Sequence, residues 1–311
     1  MDRAHTSRIT WLEFGSGHLQ FHERITRLVI IPARLEAACS KKPKHKSWLS
    51  QLPTLVADFE RRRSLTLEPP FENSSAGWVA PARLPDGAGV VLKLGMAHAE
   101  CVHEIDALRF WDGEPTVRLL AADRKRSALL LERCEPGVGL WQRPKPEQDL
   151  VLAGILKELR HTPTNPHPFR HLRVMLEAWI KETDAASERW TDSGLVGEGL
   201  RLLFLLPGSA RREVLLATDL HAGNVLQSSR RPWLAIDPRP YIGDPDYDAT
   251  QHLLNRVKAH PDAVATIYKF AELADLDPER VRLWTFARAA AQPRDDWSND
   301  PLLELARAIA P

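Results

Sequence analysis

A chain of 311 residues with 42 Lys and Arg against 41 Asp and Glu, 43% hydrophobic and 27% charged, has the makeup of a soluble globular protein near the size at which one core divides into two. The charge balance excludes a strongly basic nucleic-acid binder and an acidic solvating chain as default readings. Three widely spaced cysteines, Cys39, Cys101 and Cys134, offer neither a disulfide framework nor a CxxC metal pair.

Residues 1–28 show broken apolar spacing and are expected to form an extension of unassigned role. Their polar start has no apolar segment ahead of a cleavage site, and no apolar run in the chain reaches the roughly 18 to 20 residues of a membrane span, so a cytoplasmic location without membrane contact is expected. The basic stretch at 41–46 suits a solvated loop better than a nucleic-acid contact. After it, Trp48, Leu52, Leu55, Val56 and Phe59 place one apolar stripe on a helix ending near Arg63, with Pro53 expected in its first turn or at a kink.

From about residue 71 the pattern becomes strand-like. Trp78–Ala80 and Val90–Leu94 flank an Asp86-Gly87 turn and predict a hairpin, followed by a helix whose core positions are Val102, Ile105, Leu108 and Trp111. A second strand pair is expected at Val117–Leu120 and Ala128–Glu132. Beyond the turn at 135–139 the spacing is mostly helical, broken by strand-like runs at 213–216 and 233–236. This predicts an α+β chain with a nucleotide-binding lobe at 29–134 and a larger helical lobe at 135–311. Basic and acidic side chains number 20 and 16 before this boundary, and 22 and 25 after it.

The chemistry concentrates in Glu213–Asp248. Asp219 is followed five positions later by Asn224, and Asp237 ends an apolar strand-like run. Phosphoryl transfer needs an acceptor for the attacking hydroxyl's proton and oxygen ligands for Mg²⁺, and an Asp-x-x-x-x-Asn with a downstream strand-terminal Asp matches a kinase catalytic loop and metal-binding Asp in order and spacing. In isolation the Asp219/Asn224 pair would equally suit a turn or a helix cap. Lys93, in a strand after a glycine-containing hairpin, stands where a kinase's phosphate-contacting Lys belongs, with Glu104 on the next helix as its ion-pair partner and Glu100, one turn earlier, as the alternative. No phosphate-binding P-loop, HExxH or G-x-S-x-G motif competes, and the twelve His residues have no zinc-ligand spacing.

Together, TDLHAGNVL, PWLAIDPRPYIGDPDYDATQHLL, HEIDALRFWDGEPTVRLLAAD and ALLLERCEPG resemble the streptomycin and hydroxyurea phosphotransferases, a branch of the aminoglycoside phosphotransferase group with a protein-kinase-like fold. The similarity runs from about Ile31 to Pro311. It implies a small antiparallel-sheet lobe with one main helix, a larger helical lobe, and ATP and Mg²⁺ as cofactors. It further implies Asp219 as catalytic Asp, Asn224 and Asp237 as metal ligands, Lys93 and Glu104 as the phosphate-gripping pair, and Leu131–Cys134, with Glu132 and Cys134, as the hinge that meets the adenine. Asp244 and Asp248 resemble the family's structural acids. The implied acceptor is a hydroxyl of a streptomycin-like aminoglycoside or of hydroxyurea; a cationic acceptor would favour acidic groups such as Glu177, Glu182 and Asp184. Where the family carries His-Gly before the catalytic Asp, this chain has Ala217-Thr218, and loss of the bracing His is expected to affect rate or geometry more than nucleotide binding. The alternatives are a kinase-like nucleotide-binding protein with impaired transfer and a kinase of an unrelated small metabolite.

Overall fold

In the computed structural model, residues 29–40, 42–74, 76–96, 99–257, 262–297 and 300–311 are described. The expected extension at 1–28 and the side chains of Glu100 and Cys101 lie outside them.

The N-terminal lobe begins with helices α1 (Ala33–Ser40) and α2 (Pro43–Arg63) and continues through strands β1 (Thr66–Leu67), β2 (Gly77–Arg83) and β3 (Gly89–Gly95), helix α3 (Ala99–Trp111), and strands β4 (Leu119–Asp123) and β5 (Ala128–Glu132). The strands form one antiparallel sheet in the order β1-β2-β3-β5-β4. Strand alternation divides its faces. Trp78, Ala80, Leu92 and Leu94 share an apolar cluster with Trp48, Leu52, Val56 and Phe59 of α2, whereas Leu129 and Leu131 pack with Ile105 and Leu108 of α3.

Two local expectations change. Pro43–Lys46 of the basic stretch form the first turn of α2 instead of a loop, at a place where a proline's missing N–H is harmless. Pro53 therefore lies well inside the helix, and α2 continues past it on the strength of its buried stripe. The fourth strand is also shifted. Val117 is drawn off to the C-terminal lobe, where its N–H donates to the Ala235 carbonyl at 3.0 Å, so sheet pairing starts only at Leu119. A small core of Ile105, Leu108, Val117, Leu131, Cys134 and Leu234 thus joins the lobes.

The C-terminal lobe comprises β6 (Pro136–Gly139), α4 (Lys145–Leu159), α5 (Leu172–Asp184), α6 (Ser193–Leu205), β7 (Val214–Leu216), β8 (Val225–Ser228), β9 (Trp233–Ala235), β10 (Tyr241–Gly243), α7 (Thr250–Val257), α8 (Ala263–Leu273), α9 (Pro278–Ala291) and α10 (Pro301–Ala308). Aspartates cap four of its helices, Asp192, Asp262, Asp277 and Asp300 each accepting a first-turn backbone N–H. Helices α6 and α9 approach closely at Gly199, where a Cβ would stand 2.7 Å from that of Ala290. The short ribbons β10-β7 and β6-β8-β9 lie where the chain turns toward the other lobe, and they carry the polar segments between them. No described helix is long and apolar enough to cross a membrane.

Candidate active site

Lys93 lies mid-strand in β3, paired with Val79 on one side and Leu129 on the other. Its ammonium donates to both oxygens of Glu104, at 2.7 and 2.8 Å, and to Oδ1 of Asp237 at 2.5 Å. Burial alone would favour the neutral amine, but Glu104 and Asp237 outweigh it and hold the Lys93 pKa above its ordinary value. Asp237 is correspondingly held below the usual carboxylate range, chiefly by Lys93. This one cation therefore ties the N-terminal sheet, α3 and the strand-terminal Asp of the C-terminal lobe together.

Asp219 stands just beyond β7. The two residues before it give their backbone N–H groups to the buried carboxylate of Asp248, Ala217 at 2.9 Å and Thr218 at 2.6 Å. Thr218 has φ 51°, a left-handed conformation costly for a β-branched residue, and its hydroxyl donates to the Arg239 carbonyl at 2.5 Å. The Arg239 N–H returns a bond to the Ala217 carbonyl at 2.9 Å. These reciprocal bonds brace residues 217–219 against 237–239 without the expected histidine. Asp248 thus anchors the loop, and Asp244 is structural too, accepting from Arg280 at 2.5 Å and from the Trp284 indole at 2.7 Å.

The Asp219 side chain lies between Arg239, whose Nε is 3.2 Å from Oδ2, and His221, whose Nε2 is 3.9 Å from Oδ1. Burial pushes the carboxyl up, and Arg239 and His221 pull it down. Asn224 donates from Nδ2 to the Asp219 carbonyl at 3.0 Å, and its own carbonyl accepts from Ile236 at 2.9 Å, one residue before Asp237. Among the described residues, Asn224 Oδ1 and Asp237 Oδ2 accept no hydrogen bond. Asn224 Oδ1 and Asp237 Oδ2 are thus open oxygens of the kind that could hold a Mg²⁺ that keeps several waters and shares substrate phosphates.

The sequence-predicted Lys93, Glu104, Asp219, Asn224 and Asp237 therefore converge. Glu132 and Cys134 have other engagements. Both Glu132 oxygens accept from Arg230, at 2.8 and 2.9 Å, and Oε2 also accepts the Arg118 N–H at 3.0 Å, so this side chain holds the junction together. Cys134 is buried and unpaired, and burial pushes its thiol up to about 12. Glu177, Glu182 and Asp184 are exposed on α5, with no hydrogen bond or ion pair to the converging residues. Sequence reading missed Thr218 and Arg239 as site residues; the signal available for Arg239 was its place two residues after the strand-terminal Asp.

A sheet-borne Lys–Glu pair facing an Asp, Asn and Asp set defines a phosphotransferase of protein-kinase-like fold. The chain belongs to the aminoglycoside/hydroxyurea antibiotic resistance kinase family, whose model matches residues 66–295. It is 33% identical over 276 residues to the streptomycin 6-kinase of Streptomyces glaucescens, spanning 85% of this chain and 89% of that protein. It is equally 33% identical over 277 residues to the hydroxyurea phosphotransferase of Kitasatospora aureofaciens, spanning 85% and 79%. Among solved structures, the fold is similar to that of a thermostable aminoglycoside phosphotransferase APH(4)-Ia variant in ternary complex with ADP and hygromycin B (TM-score 0.54, 16% identity, 82% of this chain and 98% of that one). It is also similar to that of the choline kinase LicA of Streptococcus pneumoniae (TM-score 0.58, 12% identity, 84% and 99%).

Proposed function

We propose that the protein transfers the γ-phosphate of ATP to a hydroxyl of a small antibiotic, of the streptomycin or hydroxyurea type on which its relatives are named to act. The observation that carries this reading is the junction of the lobes at Lys93, whose ammonium joins Glu104 to Asp237 while Asp219 and Asn224 stand on the adjoining loop. Lys93 is the group for the α and β phosphates, pre-oriented by Glu104. Asn224 and Asp237 would hold Mg²⁺, which when bound neutralises charge on the β and γ phosphates. The backbone of Leu131–Cys134 is the segment that would meet the adenine, with Glu132 and Cys134 shaping it by their packing.

Asp219 orients the acceptor and takes its proton. As the acceptor O–H breaks toward the carboxylate, the oxygen bonds to Pγ, and the bond from Pγ to the bridging oxygen breaks with its electron pair leaving on ADP. Little covalent chemistry falls to the protein, so rate comes from placement and from opposing charge. The bracing of Thr218 and Asp248 supports a competent loop over an impaired one.

The test is Mg²⁺-dependent ATP consumption, with product mass, against streptomycin, hydroxyurea and simple amino sugars. Addition of one phosphate to streptomycin or hydroxyurea is expected. ATP-dependent thermal stabilisation with no product in any arm would support the nucleotide-binding reading instead.

A further inference from the structure

We propose that Arg239 is a catalytic residue that leaves Asp219 when ATP and acceptor are bound and donates to the oxygens of the transferring phosphoryl group. The inference rests on the kinase reading above. Its first support is the contrast between the residue's backbone and side chain. The Arg239 N–H and carbonyl are both tied to the 217–218 segment, at 2.9 and 2.5 Å, so the Cα is fixed beside the site. The guanidinium is instead 52% exposed, and its carboxylate partner among the described residues is Asp219 at 3.2 Å. A structural arginine in this protein looks different: Arg230 is 18% exposed, with contacts to Glu132, Glu114 and the Thr116 carbonyl.

The second support is charge. Three carboxylates, Glu104, Asp219 and Asp237, face a site meant for a polyanion. Lys93 pairs with Glu104 and Asp237 in the free protein and is assigned to the α and β phosphates, which leaves the γ-phosphoryl group to another cation. Arg239 is an exposed permanent cation beside the site, and its charge is felt at Asp219, Asp237 and Glu104 alike. In the free protein it sits on Asp219 Oδ2, one of the two oxygens that could take the acceptor's proton, so its departure frees that oxygen. A half-exposed side chain on a fixed Cα can swing, and the phosphoryl group arriving between Asp219 and Lys93 is the anion within its reach. Charge develops on the three equatorial oxygens during transfer, and a planar guanidinium matches them with two donors. No proton moves to or from Arg239.

The experiment compares wild type, Arg239→Gln and Arg239→Lys by two readouts: phosphate transfer to streptomycin and hydroxyurea, and thermal stabilisation by Mg²⁺ with a non-hydrolysable ATP analogue or with ADP and aluminium fluoride, a mimic of the transferring group. Arg239→Gln is expected to lower kcat by about 100-fold or more with KM for ATP within about threefold of wild type. It should keep the analogue's stabilisation, lose most of the extra stabilisation by ADP and aluminium fluoride, and regain part of its kcat with added guanidinium. Arg239→Lys should fall between. Equal kcat and equal fluoride stabilisation in wild type and Arg239→Gln would overturn the proposal while leaving the kinase reading intact. Loss of the analogue's stabilisation in Arg239→Gln would also overturn it, assigning the residue to ground-state binding. A wild type stabilised by neither nucleotide state would bring down both readings.

Discussion

The Thr218 hydroxyl donates to the Arg239 carbonyl at 2.5 Å, joining the residue before the proposed base to a residue just past the proposed metal ligand. Thr218→Val keeps the branched shape and removes the bond. It is expected to lower kcat about tenfold with little change in nucleotide affinity, measured as kcat and KM in the acceptor assay. Thr218→Gly relieves the left-handed strain at φ 51° but also removes the hydroxyl, so it should gain stability relative to Thr218→Val without regaining kcat.

Removing the cation at the junction leaves two carboxylates facing each other. Lys93 is 11% exposed and Glu104 6%, so Lys93→Met strands a buried anion, and a loss of about 3 kcal/mol of stability is expected by denaturant titration, together with loss of transfer. The double variant Lys93→Met/Glu104→Gln should recover part of the stability and none of the transfer.

Asp248 gives opposite pH trends to stability and to rate. Burial pushes its carboxyl up from 3.8 to about 6 in the folded protein. Between those values the fold binds a proton that the unfolded chain releases, so this group's contribution to stability falls as pH rises through the window. Transfer should instead rise through about pH 6, because the carboxylate accepts the Ala217 and Thr218 N–H groups. Asp248→Asn is expected to flatten its share of both slopes, read by denaturant titration and kcat at several pH values. Asp246, also raised to about 6, contributes a slope of the same sign that Asp248→Asn leaves in place.

At the junction, Arg230→Ala leaves Glu132 with a single backbone donor, Arg118. A loss of about 2 kcal/mol is expected, with a coupling above about 1 kcal/mol in the cycle with Glu132→Ala. Burial works against the Glu132 carboxylate, but its bond with Arg230 holds the pKa below the ordinary 4.5, so this stabilisation is present at neutral pH and lost as pH falls through that lowered value.

Local chemistry made much of this legible in the sequence. Strand alternation around Lys93, helical spacing through Ile105 and Leu108, and the Asp219, Asn224 and Asp237 order each depend on neighbours a few residues away. What escaped depends on partners far along the chain. Val117 reads as part of a strand, yet its N–H belongs to Ala235. Pro53 reads as a first-turn residue or a kink, and only the earlier start of α2 at Pro43 places it inside the helix. Glu132 reads as hinge, and only the fold brings Arg230 beside it. The absent histidine reads as a defect, because no pattern in Ala217-Thr218 reveals that Asp248 and Arg239 hold those residues.

The most direct measurement is single-turnover transfer of labelled γ-phosphate from ATP to streptomycin and to hydroxyurea by wild type and by Asp219→Asn, with ATP-dependent thermal stabilisation recorded on both proteins. Wild type should label at least one acceptor, and Asp219→Asn should slow that transfer by at least about 100-fold while keeping its stabilisation by nucleotide. Equal transfer by the two proteins would contradict the role given to Asp219, and absence of both transfer and nucleotide stabilisation in wild type would contradict the kinase itself.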